Sequence, residues 1–204
     1  MGRNEDLKTL TDSIKCLIVF ENKTALLYGD VSSKTGKLPL IKSLFLQLSL
    51  DGQKHSEFLK GIVQSLPKIS WKPSDMPKPI AEALRTIDDF QVELSDIDGI
   101  SEDDLTNLSE QLVALENIMS QMYDTLIQYN AMDLISSELK EIYNLNIDLL
   151  RMLLMEIVHE EECHKDTLAT VQQLLEKEEE KKTNNAPIVR FQNPNAWSSP
   201  VLTA

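Results

Sequence analysis

The sequence predicts an all-α protein, an antiparallel four-helix bundle with a long crossover between its second and third helices. Three observations carry this. Apolar residues recur every three or four positions over four long stretches, the period of a core-facing helix. Glycine is scarce, 6 in 204 residues, and no alternating β-branched run marks a strand. Four prolines (Pro67, Pro73, Pro77, Pro79) gather in one connector that divides the helices into two pairs.

The first helix is expected from about Asn4 to Ser32, with Leu7, Leu10, Ile14, Leu17, Glu21, Ala25, Tyr28 and Val31 on its inner face. Ser32-Ser33-Lys34-Thr35-Gly36 reads as a tight turn. The second helix starts at Pro39, a residue suited to a first helical turn. Its stripe is Ile41, Leu44, Leu48, Asp51/Gly52, His55, Phe58/Leu59 and Ile62, and it stops before Pro67. Residues 67–100 form the crossover, extended through its prolines, with a short helix at 80–88.

The third helix begins at Ser101, where Glu102, Asp103 and Asp104 make an acidic first turn behind an N-cap. It continues through Leu105, Leu108, Leu112, Leu115/Glu116, Met119, Met122/Tyr123 and Leu126, with Glu116 at the edge of the face. A break is placed near Ser136-Ser137. The fourth helix then carries Leu149, Leu153, Ile157, Glu161, His164, Leu168 and Val171 inward and runs to about Lys181. The bundle domain is therefore drawn as 1–182, and 183–204 as a non-helical tail holding Val189, Phe191 and Trp197.

Composition narrows the function. Hydrophobic residues at 42% and charged residues at 26% suit one soluble domain with a substantial core. A net charge of −13 excludes a nucleic-acid role and disfavours an anionic membrane, because both need a basic surface. Cys16 and Cys163 form no zinc or redox motif, and each reads as a small packing residue. The polar N-terminus is no signal peptide, so a reducing cytoplasm is the expected compartment. A homo-oligomer is expected. The tail reads equally as a docking segment for another subunit or protein and as a loose end.

The chemistry lies in polar residues that interrupt the apolar stripes. Glu161-x-x-His164 is an i, i+3 pair of the kind that carboxylate-bridged metal sites use in helical bundles. Height arithmetic supplies partners. Glu21 is 15 residues before Gly36 and Gly52 is 16 after it, so Glu21 stands level with the Asp51–His55 turn. Glu116 and Glu161 are mismatched about their own turn by ~6 Å at 1.5 Å per residue. Glu21, His55, Glu116, Glu161 and His164 are thus expected in one layer. Glu160, Glu162 and His159 read as solvated, and Tyr28 as core packing. Tyr123 reads as a packed aromatic, with a place beside the metal as the sharper alternative.

This constellation resembles the ferritin-like superfamily, specifically its rubrerythrin and bacterioferritin-type di-iron carboxylate proteins. The resemblance covers roughly residues 4–181. It implies that Glu161 bridges two metals, that His164 and Glu116 serve one, and that Glu21 and His55 serve the other. Carboxylate and imidazole donors suit iron or manganese. The implied activity is oxidation of Fe(II) or reduction of O2 or peroxide, of ferroxidase or peroxidase type. The chain departs from the family pattern on the second helix, where Gly52-Gln53-Lys54-His55 replaces Glu-x-x-His. Asp51 is a displaced substitute. That leaves open a single ion, an asymmetric pair, or a metal-free helical scaffold that keeps the fold for interaction with other proteins.

Overall fold

The computed structural model describes residues 2–36, 38–66, 68, 70–72, 76–128 and 147–185. Among the described residues there are five helices and no strand. They are α1 (Gly2–Lys34), α2 (Pro39–Ser65), α3 (Lys78–Ser95), α4 (Glu102–Gln128) and α5 (Ile147–Asn185). None is long and apolar enough to cross a membrane.

Short turns and small residues join α1 to α2. Thr35 N–H donates to Val31 O at 3.1 Å and Leu38 N–H to Thr35 O at 3.0 Å, which closes the turn ahead of Pro39. Ser32 Oγ then donates to Lys42 O at 2.9 Å and Ser49 Oγ to Ala25 O at 2.7 Å. As α1 numbers fall, their α2 partners rise, so the two helices are antiparallel. Their approach is close: a Cβ added at Gly29 would lie 3.3 Å from Ser49 Oγ.

Sequence expectation and structure part at α3. The helix covers Lys78–Ser95, well beyond 80–88, because Pro79 falls in its first turn, where proline starts a helix as readily as it breaks one. Ile80, Ala83, Leu84, Ile87 and Leu94 are its buried face. It packs on α1, with Lys23 paired to Asp88 and Lys34 Nζ donating to Ile97 O at 2.6 Å. Partners on both helices rise together, so α3 runs parallel to α1 and carries the chain back along it. Ile100 N–H then donates to Lys34 O at 3.2 Å, and Asp104 N–H to Ser101 Oγ at 3.1 Å, the expected N-cap of α4.

α4 and α5 pair through Ser120 Oγ to Glu162 Oε1 at 3.0 Å and Lys165 Nζ to Asn117 Oδ1 at 3.4 Å, again antiparallel. α5 turns a slightly different face inward than the spacing predicts: Leu154 is fully buried, whereas Leu153 is 41% exposed. Leu7 and Leu149 have no described side chains, and the predicted break near Ser136-Ser137 lies outside the described residues. α5 includes Thr183, Asn184 and Asn185, past the expected boundary at 182. The rest of the expected tail, with Val189, Phe191 and Trp197, lies outside the described residues.

The buried apolar residues form two clusters. One joins Val31, Phe45, Leu112 and Leu168, and the other joins Ile14, Leu59, Leu126 and Ile157. On α2 and α5 the interrupting polar residues fall between the two sets, and on α1 Glu21 follows the stretch, Leu17 to Phe20, where one set gives way to the other. Glu116 and Tyr123 mark the same crossing on α4.

Candidate metal centre

Glu21, His55, Glu116 and Glu161 are each at most 1% exposed, and His164 is 4% exposed. Glu116, expected at the edge of its face, is fully buried. These side chains form two triads, Glu21–His55–Glu161 and Glu116–Glu161–His164, that share Glu161. Within each triad one donor atom per residue lies within 4.8 Å of the others. Two ligands set ~2.0–2.2 Å from one centre are at most about 4.4 Å apart, so the triads are slightly wider than, or within, the span that one ion bridges.

Nδ1 of each histidine aims inward. His55 Nδ1 lies 3.0 Å from Glu161 Oε1 and 3.4 Å from Glu21 Oε1. His164 Nδ1 lies 3.4 Å from Glu116 Oε2 and 3.7 Å from Glu161 Oε1. The two imidazoles stack with centroids 5.8 Å apart. Both Glu161 oxygens, Glu116 Oε2, His55 Nδ1 and both His164 nitrogens are buried without a well-aligned hydrogen bond. Buried polar atoms are seldom left so. Five of the six, all but the outer nitrogen of His164, are inward atoms of the two triads, a donor set compatible with a cation.

Two tyrosines brace the outer carboxylates. Tyr123 on α4 donates to Glu21 Oε1 at 2.5 Å, and Tyr28 on α1 donates to Glu116 Oε1. Burial, then the charge of Glu21, holds the Tyr123 hydroxyl well above its usual range. Burial and Glu116 do the same for Tyr28. Tyr28 is therefore more than core filler. Its signal was in the spacing, since Glu21-x6-Tyr28 on α1 repeats as Glu116-x6-Tyr123 on α4.

Charge is shared across the layer. Burial, then the negative charges of Glu21 and Glu116, pushes Glu161 well above the usual carboxylate range. Burial acts the same way on Glu116, but the His164 ring beside it prevails and lowers it. Burial opposes a charged His55, yet the close carboxylates of Glu161 and Glu21 raise it to about 10.

Other expectations change. Glu160 does not simply point into water. Its Oε2 lies 2.7 Å from His55 Nε2, and its Oε1 accepts from Lys54 Nζ at 2.6 Å. Burial would raise its carboxyl, but Lys54 and His55 lower it. Asp51 belongs to neither triad. Its Oδ2 faces the outer nitrogen of His164, Nε2, at 3.6 Å. Glu162 is exposed as expected, paired with Lys165 at 2.5 Å. Cys163 does not pack between helices. It is exposed, with Sγ 3.9 Å from Nε2 of the exposed His159. Cys16 is buried as expected, its thiol pushed up to about 11 by burial and Asp12.

Gly52 sits close against α1. A Cβ there would lie 3.2 Å from Ala25 Cβ, 3.3 Å from Glu21 Oε2 and 3.4 Å from Glu21 O. Even a methyl at this position would require its neighbours on α1 to shift by a few tenths of an ångström.

No protein-family model matches the chain, and neither a curated protein nor a solved structure matches it.

Proposed function

We propose that the chain is a ferritin-like four-helix metalloprotein that holds one or two iron or manganese ions among Glu21, His55, Glu116, Glu161 and His164. The carrying observation is the set of buried donor atoms without hydrogen-bond partners, arranged as two triads that share Glu161. The directions of the helices support the topology. α1 is antiparallel to α2 and α4, α5 is antiparallel to both α2 and α4, and α3 returns alongside α1 as a crossover would.

Glu161 is the shared donor in this reading. Glu21 and Glu116 are terminal carboxylates held by Tyr123 and Tyr28. His55 and His164 offer Nδ1. The apolar clusters on either side limit water at the layer. Iron held by these residues would supply the electrons for reduction of O2 or peroxide, or would itself be the Fe(II) that is oxidised.

Metal analysis of protein purified without chelators tests this. The expected result is near-stoichiometric iron or manganese that His164→Ala and Glu161→Ala each lower sharply. Less than about a tenth of an equivalent in the wild type would end the reading. One observation favours a metal-free scaffold instead: Gly52, packed tightly on Ala25 and Glu21, stands where the family carries a bridging carboxylate.

A further inference from the structure

The two triads are built alike and finished differently. Each histidine turns Nδ1 inward and Nε2 outward. In the first, Nε2 of His55 is clamped by Glu160 at 2.7 Å. Glu160 is itself anchored by Lys54 Nζ at 2.6 Å, and that lysine also reaches Asp51 Oδ1 at 3.5 Å. A carboxylate held by Lys54 can only accept, so Nε2 keeps its hydrogen, and Nδ1, which faces Glu21 and Glu161, is the nitrogen whose proton a cation would displace. In the second triad Nε2 of His164 has no hydrogen-bond partner, and Asp51 Oδ2 stands 3.6 Å away, beyond hydrogen-bonding distance.

The difference bears on affinity. A histidine whose outer N–H is held by a carboxylate is fixed in ring orientation and tautomer, and its inner nitrogen is more basic toward a metal. Losing such a partner costs metal affinity about 10–100-fold. Both triads otherwise offer two carboxylates and one imidazole, and each outer carboxylate has one tyrosine brace. The shared Glu161 adds a second reason for unequal steps, since an ion already bound there repels the next.

We infer that Glu160, anchored by Lys54, is a positioning residue that makes Glu21–His55–Glu161 the tighter position, filled by a divalent cation before Glu116–Glu161–His164. The inference rests on the metal-binding reading above. It makes the outer face of α5 one residue before Glu161 a determinant of loading order.

Calorimetric titration of the chelator-stripped full chain with Co(II) tests it, with the visible absorption of Co(II) as a second readout. Wild-type protein is expected to bind in two separated steps. His164→Ala keeps the tighter step and loses the weaker, and His55→Ala does the reverse. Glu160→Gln weakens the tighter step about 10–100-fold and draws the two together. Lys54→Ala moves it in the same direction by less, and serves if Glu160→Gln folds poorly, since Lys54 is 53% exposed. Asp51→Asn leaves the tighter step where it was. A thermal melt of each metal-free variant separates positioning from stability: a changed melt with an unmoved first step overturns the inference. So do two equal steps in the wild type. If no Co(II) binds to the wild type, the metal reading falls and takes the inference with it.

Discussion

Glu161 has no aligned hydrogen bond at either oxygen although the residue is fully buried. Burial of an unpaired polar group costs about 1–3 kcal/mol, so every partner in this layer matters to stability. Tyr123→Phe removes the hydroxyl that donates to Glu21 and is expected to destabilise the metal-free protein by about 1–3 kcal/mol in urea unfolding. Gly52 gives the sharper prediction. Gly→Ala inside a helix gains about 1 kcal/mol, but here the new methyl meets Ala25 and the backbone of Glu21. Overpacking costs about 1–3 kcal/mol, so a net loss is expected. Gly52→Glu loses more and does not raise metal content, because its side chain displaces Glu21 instead of joining it. A variant that binds more metal at unchanged stability would refute this.

At this scale the sequence showed which residues interrupt the stripes, since period and height are one-dimensional quantities. It did not show what those residues touch. Glu160 flanks the inner face by one position and looked solvated, because nothing in α5 alone says that Lys54 and His55 of α2 stand opposite. Tyr28 looked like core filler for the same reason, its hydroxyl partner being on α4.

Among elements, α1 and α2 were readable almost to the residue, from a clear stripe, a Ser-rich turn and Pro39 at the helix start. α3 was not, because prolines at 77 and 79 signal a break and a helix start equally well, and contact with α1 decides between them. The shift from Leu153 to Leu154 reflects a related limit. A two-sided apolar run such as Leu153-Leu154 fits either phase until a neighbouring helix selects one. Ser101 was legible as an N-cap, and its bond to Asp104 N–H makes a prediction. Ser101→Ala is expected to cost about 1 kcal/mol. Ile87→Ala, deep in the α1–α3 contact, is expected to cost about 2–5 kcal/mol. Differential scanning calorimetry distinguishes the two.

For the whole molecule, the charged layer makes stability depend on pH. His55 rises from 6.5 to about 10, because the close carboxylates of Glu161 and Glu21 overcome burial. A raised folded-state value means that the stabilising proton is fully bound below about 6.5 in both states, and that its contribution is lost as pH climbs to about 10. In chelator, the stability gap between wild type and His55→Gln is therefore expected to be widest near pH 6 and to close by pH 10. A gap that widens with pH would contradict the pairing of His55 with the carboxylates.

The tyrosine braces also have a mechanical meaning. Tyr28 ties α1 to Glu116, and Tyr123 ties α4 to Glu21. Each helix gives one donor and one acceptor, seven residues apart, or about 10 Å along its axis. Two tie points on one pair of rods fix both sliding and tilt, where a single point would leave a pivot. α1 and α4 are thus keyed to one register, and a slip of one turn would break both ties at once and scatter the carboxylates that they align.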